Sequence, residues 1–438
     1  MAFDPEDLKI RQQLRQQQKA ERAARKRKLL IRVAIAVAVL IACGVVIFMV
    51  VRNASDKDTS AATVPSESTV DSSGISEGTD GTDTAPTDPE TTVIHLAAVG
   101  DLNVTSDVAT AGGGSYDYTE VFLDVAPVLA HADITAVNFE GNLCGAPYGT
   151  LTASAPQGLM DSLSSVGVDL VQLANSYSIN HGISGLSDTI NGVRAAGMEP
   201  LGVSADQAAF RQTKGYTIRE VQGVRIAFVA FTKGMNGTAL PPGSEHCVNL
   251  LYTDYESTYQ NVDRAGIKSI LDDAKREDPD LIVAMVHWGS EYFDNVSNSQ
   301  TNIAAYLHEN GVDAIIGTHS HYLHRMEYDA KHGTFVAYSL GDFLGDADNA
   351  GSEYSVILDL EITKDNRSGK TKITGFSYTP IFTVNDANGM KVLRIREAMV
   401  AYEKDYLYKV SEETYGDMEY ALTRIAERIN PTEETEEE

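Results

Sequence analysis

A chain of 438 residues with 43% apolar content has ample material for a sizeable core, which excludes a mini-protein and a wholly disordered chain. Sixty-two Asp and Glu against 35 Lys and Arg give a net charge of −27, a sign that argues against nucleic acid as a partner. Three cysteines, Cys43, Cys144 and Cys247, exclude a disulfide framework and a Cys-based zinc cluster, and allow at most one bridge, Cys144 to Cys247.

Residues 1–32 hold ten Lys/Arg against four acids, net +6, which leaves −33 for the rest of the chain (25 basic against 58 acidic residues). This stretch reads as a solvated basic helix on the cytoplasmic side. From Val33 to Val51 nineteen residues run without a charge, enough to cross roughly 30 Å of hydrocarbon as a transmembrane helix. The basic block before it, Arg25 to Lys28 and Arg32, has positive-inside character, so the N-terminus is expected in the cytoplasm and everything after Arg52 outside the cell. Leu40-Ile41-Ala42-Cys43 has the outline of a lipoprotein processing box, yet eight apolar residues follow Cys43 where a mature lipoprotein turns polar. Residues 52–91, rich in Ser, Thr, Asp, Gly and Pro, are expected to be a disordered stalk, and residues 431–438 (PTEETEEE) an unstructured acidic tail.

Between residues 92 and 430 short β-branched runs alternate with helical stretches, the pattern of one α/β ectodomain. Strands are expected at 93–99, 134–139, 169–174, 198–203, 225–231, 281–287, 313–317 and 334–340, with helices at 157–166, 185–196, 262–276 and 299–310. Two later segments, 355–362 and 372–382, alternate apolar with polar residues and are expected to be antiparallel.

In an open α/β sheet the carboxyl ends of the strands line the ligand crevice, so residues just past each buried run converge although they are distant in sequence. Those ends read Gly100-Asp101, Asn138-Phe139-Glu140, Asn175-Ser176, His287-Trp288-Gly289 and Thr318-His319-Ser320-His321. Carboxylates, amides and imidazoles dominate, the mixture that manganese, iron and zinc use. The spacing of His319 and His321 sets both rings on one side of an extended backbone, ready to share one centre.

These segments resemble the CapA-like family, associated with capsule and poly-γ-glutamate synthesis and related in fold to calcineurin-like metallophosphatases. The matching elements are AVGDLNV (98–104), VNFEGNL (137–143), LANSYSINHGISGL (173–186), VHWGSEY (286–292), IIGTHSHYLHRMEY (315–328) and AYSLGDF (337–343). The resemblance implies a four-layer αββα sandwich with a metal-type cleft at the strand ends. It also implies that Asp101, Glu140, His287, His319 and His321 contact the metal. One element departs from the family's LANNH-x-x-D-x-G: Ser176 and Tyr177 stand where the family has an amide and an imidazole, and Asn180 where it has a carboxylate. In related phosphoesterases that amide is a ligand and that imidazole assists the leaving group, so the second metal and the general acid are put in doubt. Asn180-His181, four residues on, is the available replacement, which makes His287 and His181 the candidate catalytic imidazoles. In the YSLG(N/D)F element Asp342 takes the place of an amide.

Three functions are compatible with this reading. One is an assembly role beside an anionic envelope polymer and other membrane proteins of polymer synthesis. The second is a metal-dependent hydrolase acting on a phosphoester or an amide, and the third is a non-catalytic binding cleft.

Overall fold

Strands buried on both faces read as unbroken apolar runs, and ITAVNFE and LIVAMVH, buried at every residue, lie inside two separate sheets. The computed structural model describes residues 90–345, 349–404 and 410–430. The basic segment, the expected membrane span, the stalk up to residue 89 and the acidic tail lie outside them. Among the described residues no helix is long and apolar enough to cross a membrane.

The chain opens one sheet with β1 (Thr91–Asn103), β2 (Ile134–Glu140), β3 (Leu170–Gln172) and β4 (Glu199–Leu201), all parallel. It then builds a second sheet from β5 (Tyr216–Val221), β6 (Val224–Thr232), β7 (Leu281–His287), β8 (Ala314–Thr318), β9 (Met326–Asp329) and β10 (Thr334–Ala337). The order there is β5-β6-β7-β8-β10-β9, with β6, β7, β8 and β10 parallel and the two edge strands antiparallel. Finally β11 (Asp342–Leu344), β12 (Tyr354–Asp365), β13 (Thr371–Asp386) and β14 (Gly389–Arg394) return to the first sheet. Its order is β14-β13-β12-β1-β2-β3-β4, with β11 paired parallel to the end of β1. The antiparallel pairing expected for 355–362 and 372–382 is observed. Residue 91, expected in the stalk, already pairs with Asp365 as the first residue of β1.

The second sheet divides its side chains between two cores with the period of a strand. Ile226, Phe228 and Ala230 of β6 join the large core shared with the first sheet, while Ala227, Val229 and Phe231 face the other way. There they meet Ile267 and Leu271 of helix Arg264–Lys275 and Ile303 and Leu307 of helix Asn298–Glu309. Helices Gln157–Ser165 and Gly182–Ala195 bury Leu159, Leu163, Leu186 and Ile190 in the large core. Trp288 is buried too, donating its indole N–H to the Tyr338 carbonyl at 2.9 Å. Cys144 and Cys247 are both free thiols.

Candidate metal centre

The centre begins with an irregularity. The pairing of β1 with β2 slips between Ala98 and Asp101, and its pairing with β11 slips between Asp101 and Leu102. Gly100 sits inside the slip because nothing larger fits: a Cβ there would lie 1.8 Å from the Gly341 carbonyl oxygen. The close approach sets Asp101 level with Asn138 of β2 on one side and Asp342 of β11 on the other.

Two adjoining groups of buried ligand-type atoms result, each with its atoms within 4.8 Å of one another: Asp101, His321 and Asp342, and Glu140, His287 and His319. In the first, His321 Nδ1 lies 2.7 Å from Asp342 Oδ1 and 3.8 Å from Asp101 Oδ2. In the second, His287 Nδ1 lies 3.5 Å from Glu140 Oε1, and the His287 and His319 rings are 4.3 Å apart. Asn138 joins the groups, since its Nδ2 donates to Asp101 Oδ1 at 2.7 Å and to Glu140 Oε1 at 3.1 Å. Asn175 in turn fixes Asn138 by donating to its Oδ1 at 3.1 Å and to the Phe139 carbonyl at 2.6 Å. The two sheets are stitched together here, because the His319 backbone N–H donates to both oxygens of Asp101, at 3.2 and 3.0 Å.

Ser176 contributes directly, where the family resemblance led us to expect an amide. Its backbone N–H donates to His287 Nε2 at 3.2 Å and its hydroxyl lies 3.1 Å from the same atom. Nε2 is therefore an acceptor, which leaves the ring proton on Nδ1, 3.2 Å from Thr318 Oγ1.

Burial sets the charge states. It raises the Asp101 carboxyl, against the pull of His321 and the donors around it, and raises Glu140 well above the carboxylate range, an effect that neighbouring Asp101 reinforces. Burial also holds His287 and His319 well below the usual imidazole value. On His321 burial acts in the same direction, but Asp342, Glu140 and Asp101 together outweigh it and lift this ring well above its usual value. One imidazolium thus sits among three carboxyl groups, beside two neutral imidazoles.

All five residues expected to contact a metal are gathered in this volume, but two expectations need correction. His319 and His321 do not share one centre. Both have left-handed backbone, φ 94° and 58°, so the chain is not extended there and the rings enter different groups. His181, the replacement imidazole, lies outside both groups: it is exposed at the start of helix Gly182–Ala195, with Nε2 2.6 Å from the Thr152 carbonyl oxygen. Asn180 donates to the same oxygen at 3.0 Å, so both residues pin a loop instead of entering the cleft. Asp342 was not in the expected set, although its place after Tyr338-Ser339-Leu340-Gly341 was the available signal.

The donors suit a divalent cation of the manganese, iron or zinc type. Carboxylates and neutral imidazoles are its ligands, and His319 Nδ1 is buried with no hydrogen-bond partner among the described residues, an orphan that an ion would satisfy. To serve as a ligand through Nδ1, His287 would carry its proton on Nε2 instead, facing the Ser176 hydroxyl 3.1 Å away.

The class is thereby defined: an α/β protein of two sheets whose strand ends hold a buried acid and imidazole centre. The chain belongs to the family described as Bacterial capsule synthesis protein PGA_cap, which matches residues 95–347. It is similar to the capsule biosynthesis protein CapA of Bacillus anthracis, 26% identical over 62% of this chain and 64% of that one, so slightly less than two thirds of that relative is spanned. It is also similar to the PGA biosynthesis protein CapA of Bacillus subtilis, 25% identical over 67% of this chain and 74% of that one. Among solved structures, a phosphatase of Mycoplasma pneumoniae aligns over 66% of this chain and 94% of that one, with 13% identity and a TM-score of 0.41.

Proposed function

We propose that this chain is a membrane-anchored extracellular accessory protein of capsule or poly-γ-glutamate synthesis, with a four-layer ectodomain of the metallophosphatase type and a cleft that takes divalent metal. The observation that carries this reading is the pair of joined acid and imidazole groups, buried and linked by Asn138. Family membership supports the polymer role. The charge-free run 33–51 behind a basic block supports the anchor. In this reading Asp101, His321 and Asp342 hold one position and Glu140, His287 and His319 the other. An ion bound there supplies Lewis-acid polarisation of a substrate oxygen. It also lets an acidic ectodomain meet a polyanionic polymer, and other membrane proteins of polymer synthesis are the further expected partners. The chain's own residues orient the donors: Asn138, held by Asn175, fixes the carboxylates, and Asp342 holds the His321 ring at Nδ1, a ring that would release its proton to serve as a ligand.

A second reading, a binding cleft without turnover, is favoured by Ser176, which occupies His287 Nε2, and by Tyr177, which stands where the family has the imidazole that assists the leaving group. One experiment addresses both. Full-length protein purified in mild detergent should carry manganese, iron or zinc in near-stoichiometric amount, and His319→Ala or His321→Ala should each lower the affinity by about tenfold or more. Folded wild-type protein without affinity for any of the three would overturn the metal assignment. Bound metal with phosphodiester turnover lost in either variant would identify a hydrolase, and bound metal without turnover a binding cleft. The topology has its own check: protease added to intact cells should shed an ectodomain fragment by cutting within residues 52–91. An uncut chain on cells whose other surface proteins are digested would refute the topology.

A further inference from the structure

Two loops surround the His321 side of the centre, residues 288–297 after β7 and 319–325 after β8. They are tied to each other. The Tyr292 N–H donates to the Ser320 carbonyl at 2.8 Å, and His324 Nε2 lies 2.7 Å from the Phe293 carbonyl oxygen. The Tyr292 ring lies nearly parallel to the His321 ring, 26° off with centroids 5.0 Å apart. Leu323 bridges back to Leu340, two residues before Asp342.

A third element grips both loops. Helix Glu412–Ile429 lies beyond the residues that match the family, and Arg428 in its last turn reaches into the junction. Its Nη1 donates to the Leu323 carbonyl at 3.0 Å and its Nη2 pairs with the Asp294 carboxylate, so one guanidinium holds one residue of each loop. The plane lies over the Tyr322 ring, 5.1 Å from its centroid, and 5.8 Å from that of Tyr354. The side chain is 11% exposed, and its Nε is buried without a hydrogen-bond partner among the described residues. An arginine that leaves one buried donor unmet while its fork spans two loops is placed by what the fork holds.

We propose that Arg428 is a positioning residue for the metal centre: by clamping Leu323 and Asp294 it fixes the loop that carries His321 and keeps that ring between Asp342 and Tyr292. The centre so positioned is the one proposed above, and in that sense the inference rests on the metal reading. A lysine cannot replace the clamp, because it offers a point charge and not a planar fork.

The test compares Arg428→Met and Arg428→Lys with Ala426→Gly, a change at an exposed position of the same helix that weakens the helix without touching either loop. Full-length proteins labelled with ¹⁵N-histidine are read without metal by the ring signals of His321, then titrated with Mn²⁺. Both Arg428 variants are expected to shift the His321 signals and to weaken Mn²⁺ binding about tenfold. Ala426→Gly should leave both at wild-type values even where its melting temperature falls as far. Unchanged ring signals in a folded Arg428 variant would overturn the proposal, as would equal changes in Ala426→Gly. If Arg428→Met does not fold, Arg428→Lys decides alone. Wild-type protein that takes no Mn²⁺ would count against the metal reading, whereas the ring signals in metal-free protein would still decide the role of Arg428.

Discussion

Gly317→Ala is expected to destabilise the protein by about 3–5 kcal/mol, although it adds a single methyl group to a strand that is otherwise Ala, Ile and Thr. Gly317 lies in β8 against the carbonyl of Tyr338, where a Cβ would stand 2.1 Å from the oxygen and 2.7 Å from Trp288 Nε1. Those two atoms are the partners of a buried hydrogen bond, so the methyl group would enter the bond itself. Either the backbone after β10 moves or the indole loses its acceptor, and a buried N–H without a partner is itself destabilising by about 1–3 kcal/mol. The strain also falls two residues before His319, whose backbone is already left-handed at φ 94°. A melting temperature lower by on the order of 5–10 °C, with weakened metal binding, is the expected result in thermal unfolding. Gly375→Ala, in β13, is the control: nothing lies within 4 Å of its Cβ position, and the change should be nearly neutral. If the two substitutions behave alike, the contact at Gly317 does not govern packing there.

Much of this arrangement was legible in the sequence because parallel strands buried on both faces leave long apolar runs, and the polar residues that end them stand out. Asp101, Glu140, His287 and His319 were found in that way. Edge strands leave no such trace. Tyr216–Val221 is half-buried at almost every position and carries Thr, Arg and Glu, and β9 and β11 are only four and three residues long. The C-terminal helix did have a signal, Ser411 as cap followed by Glu412 and Glu413, and Met418, Ala421, Ile425 and Ile429 on its buried side. What no pattern conveyed is the backbone after β8. His-x-His at a strand end suggests rings on one face, but two positive φ angles part them, and such angles follow from what the loop packs against, including Tyr292 and Arg428. The same holds for Asp342, which reaches the centre only because β11 lies parallel to β1 at Asp101.

Glu140→Gln should separate stability from function, with opposite signs for the two. Asp101, Glu140 and Asp342 lie at 0%, 1% and 3% exposure with one imidazolium, His321, among them. Asp342 holds that cation at 2.7 Å, whereas Glu140 Oε2 is 4.0 Å from it, so Glu140 bears most of the uncompensated burial. Glutamine keeps the volume and an oxygen to accept from Asn138, and removes an acid that burial and neighbouring Asp101 drive to take up a proton in the metal-free protein. Without metal the variant should therefore unfold at a higher temperature than the wild type, by about 1–2 kcal/mol of stability. With metal the order should reverse, because an ion at 100 times its dissociation constant stabilises the wild type by about 2.7 kcal/mol and the variant has lost a ligand. Asp342→Asn makes the contrast, since it strips the buried imidazolium of its nearest partner and should lower stability even without metal. Thermal unfolding of the three proteins with and without Mn²⁺ checks both signs. A metal-free Glu140→Gln protein less stable than the wild type would mean that this carboxylate serves the fold and not an ion.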